Sequence, residues 1–527
     1  AEVREAREII ADLEHAANDI RSQGEGPDRM RQRLTEIQDK LDSRLNELTE
    51  YALATAELHG YVSRVVAIRE SAYEVAAELK ETIPESGYVM TPPMELSNNP
   101  DRYEKYQDLH ACIKSAVDLA TEAETTVGPR YRALADGQYA LSEGRHSESA
   151  GLANDADPSW TPEEVSVWWK LLSDSEREAL INKDPEKYGN LDGIDMASRA
   201  KANELVLLGP KDASGQHVPG AGLLGQAERD LAEAEAAMVG ATSNLAALDL
   251  KRKQAQNRVD DLRALRDQMN VDGVTLVSLQ PGKPGENVLA ALAIGDVDNA
   301  EHVATMVPGM TTNCRDSAAL NLGYAYNLRE AAVRAGADKN NVATIAWLGY
   351  DAPPALPDLS VASTAQAEAG ADPLRKFATG IHSWRSERGM DVHQSIIPHS
   401  YGSTTAGIAM RSIGKDVVDD FAYTGSPGAG VASVGTLGVD KDHVWVSAVP
   451  HHDAVQGIGT DGNFGLDPKT LKGIGHLSGD ASGAKDYSTY SLNPVANHSS
   501  YFVAPEPGKQ NHALNDLGKV IADAKER

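Results

Sequence analysis

Cysteine is scarce in this sequence. Only two cysteines, Cys112 and Cys314, occur among 527 residues. Two thiols are too few for a disulfide framework or for a metal cluster held by thiolates, so both classes of protein are excluded. One bridge between the two cysteines remains open, because sequence alone does not establish the separation that a disulfide requires.

Positive charge and long apolar runs are also lacking. The chain has 50 Lys and Arg against 78 Asp and Glu, a formal net charge of −28. A nucleic acid or an anionic lipid surface would repel such a protein as a whole, so we expect no nucleic acid among its partners. No run of about 18 apolar residues appears, which predicts a soluble protein without a membrane span.

The first residues, AEVREAREII, lack the basic-then-apolar order of a signal peptide. The compartment is therefore unassigned, and both secretion and a cytoplasmic location stay open.

The length and a change of composition along the chain predict three regions. A chain of 527 residues exceeds what one ordinary core holds. Residues 1–155 have apolar side chains three or four residues apart, which predicts a helical bundle or hairpin. Residues 156–270 are interpreted as a helical linker region with a long helix, and residues 271–527 as an α/β domain.

Two helix signals stand out in the second region. Thr161, Pro162 and Glu164 have the spacing of an N-cap, a proline at the first helical position and a capping box. Residues 224–269 have almost unbroken helical composition with one internal glycine, Gly240. This predicts either one long helix or two helices stacked as a hairpin.

From residue 271 onward, short apolar runs alternate with helical stretches and Gly-rich turns. The runs include VTLVSL, NVLAALAIG, HVATMVPG, VATIAWLGY, HQSIIPHS and HVWVSAVPHHD. Strands of this kind alternating with helices predict a mostly parallel sheet covered by helices on both faces. Functional residues of such a sheet are expected at the carboxyl ends of its strands.

Ser400 has the position expected of a nucleophile. It follows the strand-like HQSII and precedes STTAGIAMRSI, which is rich in small residues and predicts a helix. A serine on such a strand-to-helix turn has an exposed hydroxyl, with the amino end of the helix beneath it. An isolated S-x-G is common by chance, so the prediction depends on finding a base and an acid elsewhere.

The order of the remaining groups favours this hypothesis. In this type of turn the chain order is serine, acid, histidine, which Asp453 and His498 satisfy. The oxyanion hole is predicted from the amide of Tyr401, the residue after the nucleophile, and from the loop TMVPGMTTN, through Met310.

Several residues compete for the acid and base roles. For the base, the competing residues are His451, His452 and His476, for which a structural role is the simpler interpretation. For the acid, the competing residues are Asp442 and Asp461, for which a loop or capping role is the simpler interpretation.

Metal and nucleotide chemistry are less well supported. His451 and His452 are adjacent, and adjacent side chains on a strand point to opposite faces, so one ion could not easily use both. No G-x-x-x-x-G-K-[ST] loop is present. We therefore expect no metal and no organic cofactor.

The sequence resembles an uncharacterised α/β-hydrolase family of high-GC Gram-positive bacteria. The motifs VPGMTTN, AWLGYDAP, PHSYGST, YTGSPGAGV, HHDAV and NHSSYF carry the resemblance, which covers roughly residues 165–502. It implies an α/β-hydrolase fold preceded by an all-α helical region. The family's usual turn reads G-H-S-Y-G, which implies Ser400 as nucleophile, Asp453 as acid and His498 as base. Pro398 stands where the family has glycine, which predicts a local rearrangement of the turn.

These observations predict a serine hydrolase that cleaves an ester or related acyl bond through an acyl-enzyme. A carboxylic ester hydrolase acting on a small-molecule or lipid-like ester is the expected type. The competing hypothesis is a non-catalytic interaction or scaffold protein, in which the helical region binds a partner. The family resemblance also implies an N-terminal region similar to the helical hairpins of WXG-type secretion substrates. Residues 1–145 fit this loosely, without a W-x-G motif, and a protein partner at the helical region is the corresponding expectation.

Overall fold

The computed structural model describes most of the chain. The described residues are 24–84, 99–137, 155–354, 363–449, 464–485 and 497–524, with residues 9, 10, 12, 13, 15, 16, 19, 20, 453, 455–457 and 487. Every statement about structure below concerns these residues.

Two long helices form the start of the described chain. Helix α1 spans Glu25–Leu79 and helix α2 spans Pro100–Ala135. They bury a common apolar core that includes Ile68, Val75 and Leu109. Helix α1 begins after Gly24, and α2 begins at Pro100, a position where proline is tolerated because the first helical N–H has no intrahelical partner.

Six helices follow before the sheet. They are α3 (Pro162–Leu171), α4 (Asp174–Lys183), α5 (Pro185–Tyr188), α6 (Met196–Leu208), α7 (Gly222–Met238) and α8 (Leu245–Met269). The predicted capping box is present at α3, where Thr161 and Glu164 bond each other's backbone N–H. For residues 224–269, where the sequence allowed one helix or two, the structure has two helices packed together. Gly240 lies between them with φ +76°, a left-handed conformation that suits glycine.

The second half of the chain forms an eight-stranded sheet with helices between its strands. The strands are β1 (Val274–Gln280), β2 (Leu289–Ile294), β3 (His302–Val307), β4 (Val342–Leu348), β5 (His393–Pro398), β6 (Asp420–Thr424), β7 (Val444–Ser447) and β8 (Gly475–His476). The helices are α9 (Cys314–Arg334), α10 (Ala365–Glu387), α11 (Tyr401–Met410) and α12 (His512–Ile521).

The strand order is β1-β2-β4-β3-β5-β6-β7-β8. Strand β2 pairs antiparallel with β1 and β4, and all other neighbours are parallel. This confirms the predicted, mostly parallel sheet. Because the parallel strands share one direction, the segments that follow β3, β5, β6 and β7 meet at one edge.

Both faces of the sheet are covered. On one face, Phe377 of α10 and Met410 of α11 belong to a core with strand residues such as Ile396 and Phe421. On the other, α9 and α12 pack through residues such as Leu328 and Leu517. Nearly every residue of β4 and β6 is buried as a result, which explains their continuous apolar sequence.

The N-terminal helices bond directly to the α/β domain. Asp108 of α2 accepts hydrogen bonds from the backbone N–H of Ala432 at 2.6 Å and from Arg411 at 3.1 Å. Arg64 of α1 donates to the carbonyl of Ser412 at 3.2 Å. The Asp108 carboxylate is buried, so these contacts anchor the two helices to the end of α11.

Cys112 and Cys314 are both buried with free thiols. The bridge that the sequence left open is therefore not formed. Cys314 lies at the start of α9 and donates from its sulfur to the carbonyl of Val288, as a buried free cysteine can. Within the described part of the chain, no helix has the length and apolar character needed to cross a membrane.

Candidate active site

A sharp turn joins β5 to α11, and Ser400 lies at its centre. Its φ of 55° and ψ of −134° are rare for a residue with a side chain and store strain of order 1–3 kcal/mol. The N–H of Ser400 donates to the carbonyl of Thr424 at 3.0 Å, and that of Gly402 donates to the carbonyl of His399 at 2.9 Å. Contacts with the neighbouring strand therefore hold Ser400 in a backbone conformation that is unfavourable for serine.

The residues around Ser400 show how closely the turn packs on β3. A Cβ at Gly402 would lie 2.4 Å from the carbonyl oxygen of Val307, so a larger residue would push the turn away from the strand. Pro398 is the last residue of β5, paired opposite Val307, and its carbonyl accepts a hydrogen bond from the Thr424 hydroxyl at 2.7 Å. The proline thus stays within the strand register, and the strained conformation falls on Ser400.

Asp453 and His498 form a hydrogen-bonded pair. The distance from His498 Nδ1 to Asp453 Oδ1 is 2.9 Å, and the carboxylate is fully buried. The other oxygen, Oδ2, accepts a hydrogen bond from the Tyr501 hydroxyl at 2.7 Å. Burial alone would raise the pKa of Asp453, but the hydrogen bond and charge of His498, with the Tyr501 hydroxyl, hold it at about 2. The acid is therefore ionised at neutral pH.

This pair determines the state of the second ring nitrogen of His498. A carboxylate only accepts hydrogen bonds, so Nδ1 of His498 carries the proton and Nε2 of the neutral ring has a free lone pair. His498 Nε2 is buried and has no hydrogen-bond partner among the described residues. A buried nitrogen of this kind is suited to accept a proton from a neighbouring hydroxyl.

The turn and the Asp453–His498 pair lie next to each other. His399, the residue before Ser400, has its ring centroid 4.4 Å from that of His498. A Cβ at Gly425 would lie 2.8 Å from Asp453 Oδ2 and 2.9 Å from His498 Cε1, and Gly425 directly follows the residue that bonds the Ser400 backbone. The structure thus brings the predicted serine, acid and base to one edge of the sheet.

The loop after β3 contacts the same turn. A Cβ at Gly309 would lie 2.4 Å from Ser400 Cβ, 2.8 Å from Ser400 Oγ and 3.1 Å from the backbone nitrogen of Tyr401. Met310 is the next residue. Neither its N–H nor that of Tyr401 donates to a backbone carbonyl within the described residues. The Tyr401 amide therefore lies beside the Gly309 loop, and neither of the two predicted oxyanion-hole amides has a backbone acceptor among the described residues.

The structure places some of the competing residues away from this site. His476 lies exposed on the edge strand β8. Asp442 precedes β7, at the opposite edge of the sheet from Ser400. The three remaining competitors, His451, His452 and Asp461, lie outside the described residues.

Two residues of the site were not expected from sequence. His399 packs on the ring of His498, and Tyr501 bonds Asp453. The only sequence signal for either is its distance from a predicted site residue, since His399 adjoins Ser400 and Tyr501 follows His498 by three positions. Neither signal specifies a contact.

The comparisons with known proteins agree with this architecture. A family model described as "Alpha/beta hydrolase" matches residues 283–460, a range that contains Ser400 and Asp453 but ends before His498. An uncharacterised protein of Mycobacterium tuberculosis is 31% identical over 303 residues, covering 54% of this chain and 42% of the relative. The chain thus spans about two fifths of the length of that relative.

Shorter relatives are covered more completely. An uncharacterised protein of Mycobacterium bovis is 35% identical over 231 residues, covering 42% of this chain and 84% of the relative. An uncharacterised protein of Mycobacterium tuberculosis matches to the same extent. No solved structure matches this chain. With the observed sheet and helical N-terminal region, these matches confirm the predicted fold, and the chain belongs to the alpha/beta hydrolase family.

Proposed function

We propose that the protein is a serine hydrolase that cleaves an ester or a related acyl bond through an acyl-enzyme. The observation that carries this proposal is the His498–Asp453 pair, in which the buried Nε2 has no partner among the described residues. The His498 ring packs on His399, the residue that precedes the strained Ser400. Strain and an unpaired buried polar atom both cost stability. Their combination at one edge of the sheet favours a catalytic role over a structural one.

The proposed reaction begins with attack by Ser400. As its Oγ forms a bond to the substrate carbonyl carbon, the hydroxyl proton passes to His498 Nε2. The ionised Asp453 stabilises the imidazolium and holds the ring in the required tautomer. The oxyanion accepts hydrogen bonds from the N–H groups of Tyr401 and Met310.

The second half of the reaction reverses these roles. The tetrahedral intermediate collapses, the bond from carbon to the leaving group breaks, and His498 returns its proton to that group. Water then attacks the acyl-enzyme, with His498 taking one proton from the water and passing it to Ser400 as the serine leaves. All of these steps use only residues of the chain and water.

A fluorophosphonate probe tests the proposal. It reacts quickly only with a serine that has a base and an oxyanion hole, so we expect a single adduct, on the peptide that contains Ser400. Turnover of a short-chain aryl ester should fall about 10⁴- to 10⁶-fold in Ser400→Ala. Ser403→Ala, one turn along α11, is the matched control and should keep the wild-type rate.

The competing hypothesis, an interaction protein on a hydrolase fold, makes the opposite prediction. It expects no labelling and no ester turnover above the buffer rate. Labelling of another serine, with Ser400→Ala fully active, would contradict the assignment of the nucleophile.

A further inference from the structure

His399 bonds the main chain of the base. Its Nε2 lies 2.7 Å from the carbonyl oxygen of His498. We propose that His399 is a positioning residue, which ties the nucleophile turn to the backbone of His498 and so holds the base at a set position relative to Ser400. This inference rests on the proposed hydrolase function and adds a residue that acts through His498 rather than on substrate.

The hydrogen bond specifies the state of the His399 ring. A carbonyl oxygen only accepts, so Nε2 of His399 must carry a proton and donate it. Burial lowers the pKa of His399 to about 3, with a further contribution from the nearby His498. The ring is therefore neutral at physiological pH, with Nδ1 unprotonated.

Aromatic neighbours enclose the His399 ring. The ring of Phe502 meets it edge to face, with centroids 5.3 Å apart, and that of Tyr501 does so at 6.1 Å. Both neighbours belong to the short helical turn that directly follows His498. Because the ring is both packed against these neighbours and hydrogen-bonded, it has one orientation, and a shift of the turn would be passed to His498.

The contacts of His498 divide into two kinds. Asp453 bonds the ring at Nδ1 and therefore sets the ring's rotation. His399 bonds the carbonyl and therefore sets the position of the main chain from which the side chain extends. A displacement of about 1 Å in a catalytic group costs up to about 100-fold in rate, so both kinds of contact are needed for efficient proton transfer.

The neutrality of His399 also suits the reaction. The two imidazole rings are 4.4 Å apart between centroids, and the base becomes positively charged during each proposed proton transfer. A cationic residue at position 399 would oppose this charge at short range. Among the described residues, Asp453 bonds the His498 ring and is ionised, and Tyr501, which bonds Asp453, keeps its proton because burial raises the pKa of its hydroxyl.

Three variants of position 399 separate positioning from packing. His399→Phe keeps the ring volume and removes the donor. His399→Gln keeps an N–H donor near the position of Nε2, whereas the side chain of His399→Asn is too short for its N–H to reach the carbonyl of His498. The measurements are the rate of fluorophosphonate labelling at Ser400 and steady-state ester kinetics, each normalised to the folded fraction.

We expect His399→Phe and His399→Asn to lower both the labelling rate and kcat about 10- to 100-fold, with KM within about twofold of wild type. His399→Gln should recover most of the loss. His476→Phe, the same exchange on the exposed edge strand β8, is the control and should leave both rates unchanged.

The outcomes distinguish this inference from the proposed function. If wild-type protein is labelled at Ser400 but all three variants react at the wild-type rate, only the role of His399 is wrong. Equal losses in the Gln and Asn variants also overturn it, because packing alone would then explain the effect. If His399→Phe does not fold, the comparison of Gln with Asn decides. Absence of labelling in wild type would contradict the hydrolase proposal itself.

Discussion

Gly309→Ala is the sharpest test of the site's geometry. Gly309 follows β3 and is buried directly against the nucleophile turn. The added methyl carbon would lie 2.4 Å from Ser400 Cβ, 2.8 Å from Ser400 Oγ and 3.1 Å from the nitrogen of Tyr401. One methyl group would thus contact both the attacking atom and the proposed oxyanion donor.

The expected magnitude follows from these distances. Carbon atoms prefer a separation of about 3.5–4.0 Å, so the turn and the β3 loop must move apart by about 1 Å. Rotation of the Ser400 side chain does not relieve the clash, because its Cβ is fixed by the backbone. Displacement of the nucleophile costs about 100-fold in rate, and loss of one oxyanion donor costs about 10²- to 10³-fold. We therefore expect kcat to fall about 10²- to 10³-fold, with a loss of about 1–3 kcal/mol in stability from overpacking.

Ester turnover and fluorophosphonate labelling measure the first effect, and denaturant unfolding measures the second. Gly323→Ala is the matched control, since Gly323 lies exposed on α9 and an added Cβ there meets no atom within 4 Å. It should keep wild-type activity and gain about 0.5–1 kcal/mol in helix stability. A folded Gly309→Ala protein with wild-type kcat would refute the assignment of this loop and turn to the active site.

Three further predictions follow from individual contacts. Tyr501→Phe should lower kcat about tenfold in the ester assay, since it removes one hydrogen bond to the charged Asp453, worth about 1.5 kcal/mol; an unchanged kcat would exclude a role for this hydroxyl. Asp108→Ala should cost about 2–4 kcal/mol in denaturant unfolding because it leaves buried groups of the α/β domain without their acceptor, whereas Asp118→Ala, an exposed carboxylate on the same helix, should change stability by less than about 0.5 kcal/mol. The pKa of His399 is about 3 in the folded protein and about 6.5 in the unfolded chain, so between these pH values only the unfolded chain binds the proton. The free energy of unfolding should therefore fall by up to about 1.4 kcal/mol per pH unit as the pH decreases from about 6.5 towards 3. Denaturant titrations across this window should show a shallower slope in His399→Gln, and an identical slope would contradict the assignment.

Much of the fold could be predicted from sequence because its signals are local. Apolar runs such as VATIAWL and HQSIIP indicate strands, since both faces of a parallel sheet are buried. The cap at Thr161 involves residues only three positions apart, so its pattern is visible in the chain. Even the strained turn could be anticipated, because a strand, a serine and a small-residue helix follow one another directly.

The order of Ser400, Asp453 and His498 along the chain was likewise readable, although Asp442 and His476 satisfy the same order. The sequence did not, however, predict the distances between these side chains. Asp453 and His498 are 45 positions apart, and His399 and the carbonyl that it bonds are 99 positions apart. Contacts of this range depend on how strands β5, β6 and β7 align, which no local pattern encodes.

The sequence by itself therefore determined the fold class, the helical start of the chain and a short list of candidate catalytic residues. Only the tertiary structure decided that Gly309 lies against Ser400, that the Tyr501 hydroxyl bonds Asp453 and that His399 bonds the main chain of His498. The physical reason is that secondary structure reflects preferences of neighbouring residues, whereas these contacts arise where the carboxyl ends of separate strands converge. The sequence around His399 does not indicate that it bonds the carbonyl of His498, because the two groups meet only when the strands converge.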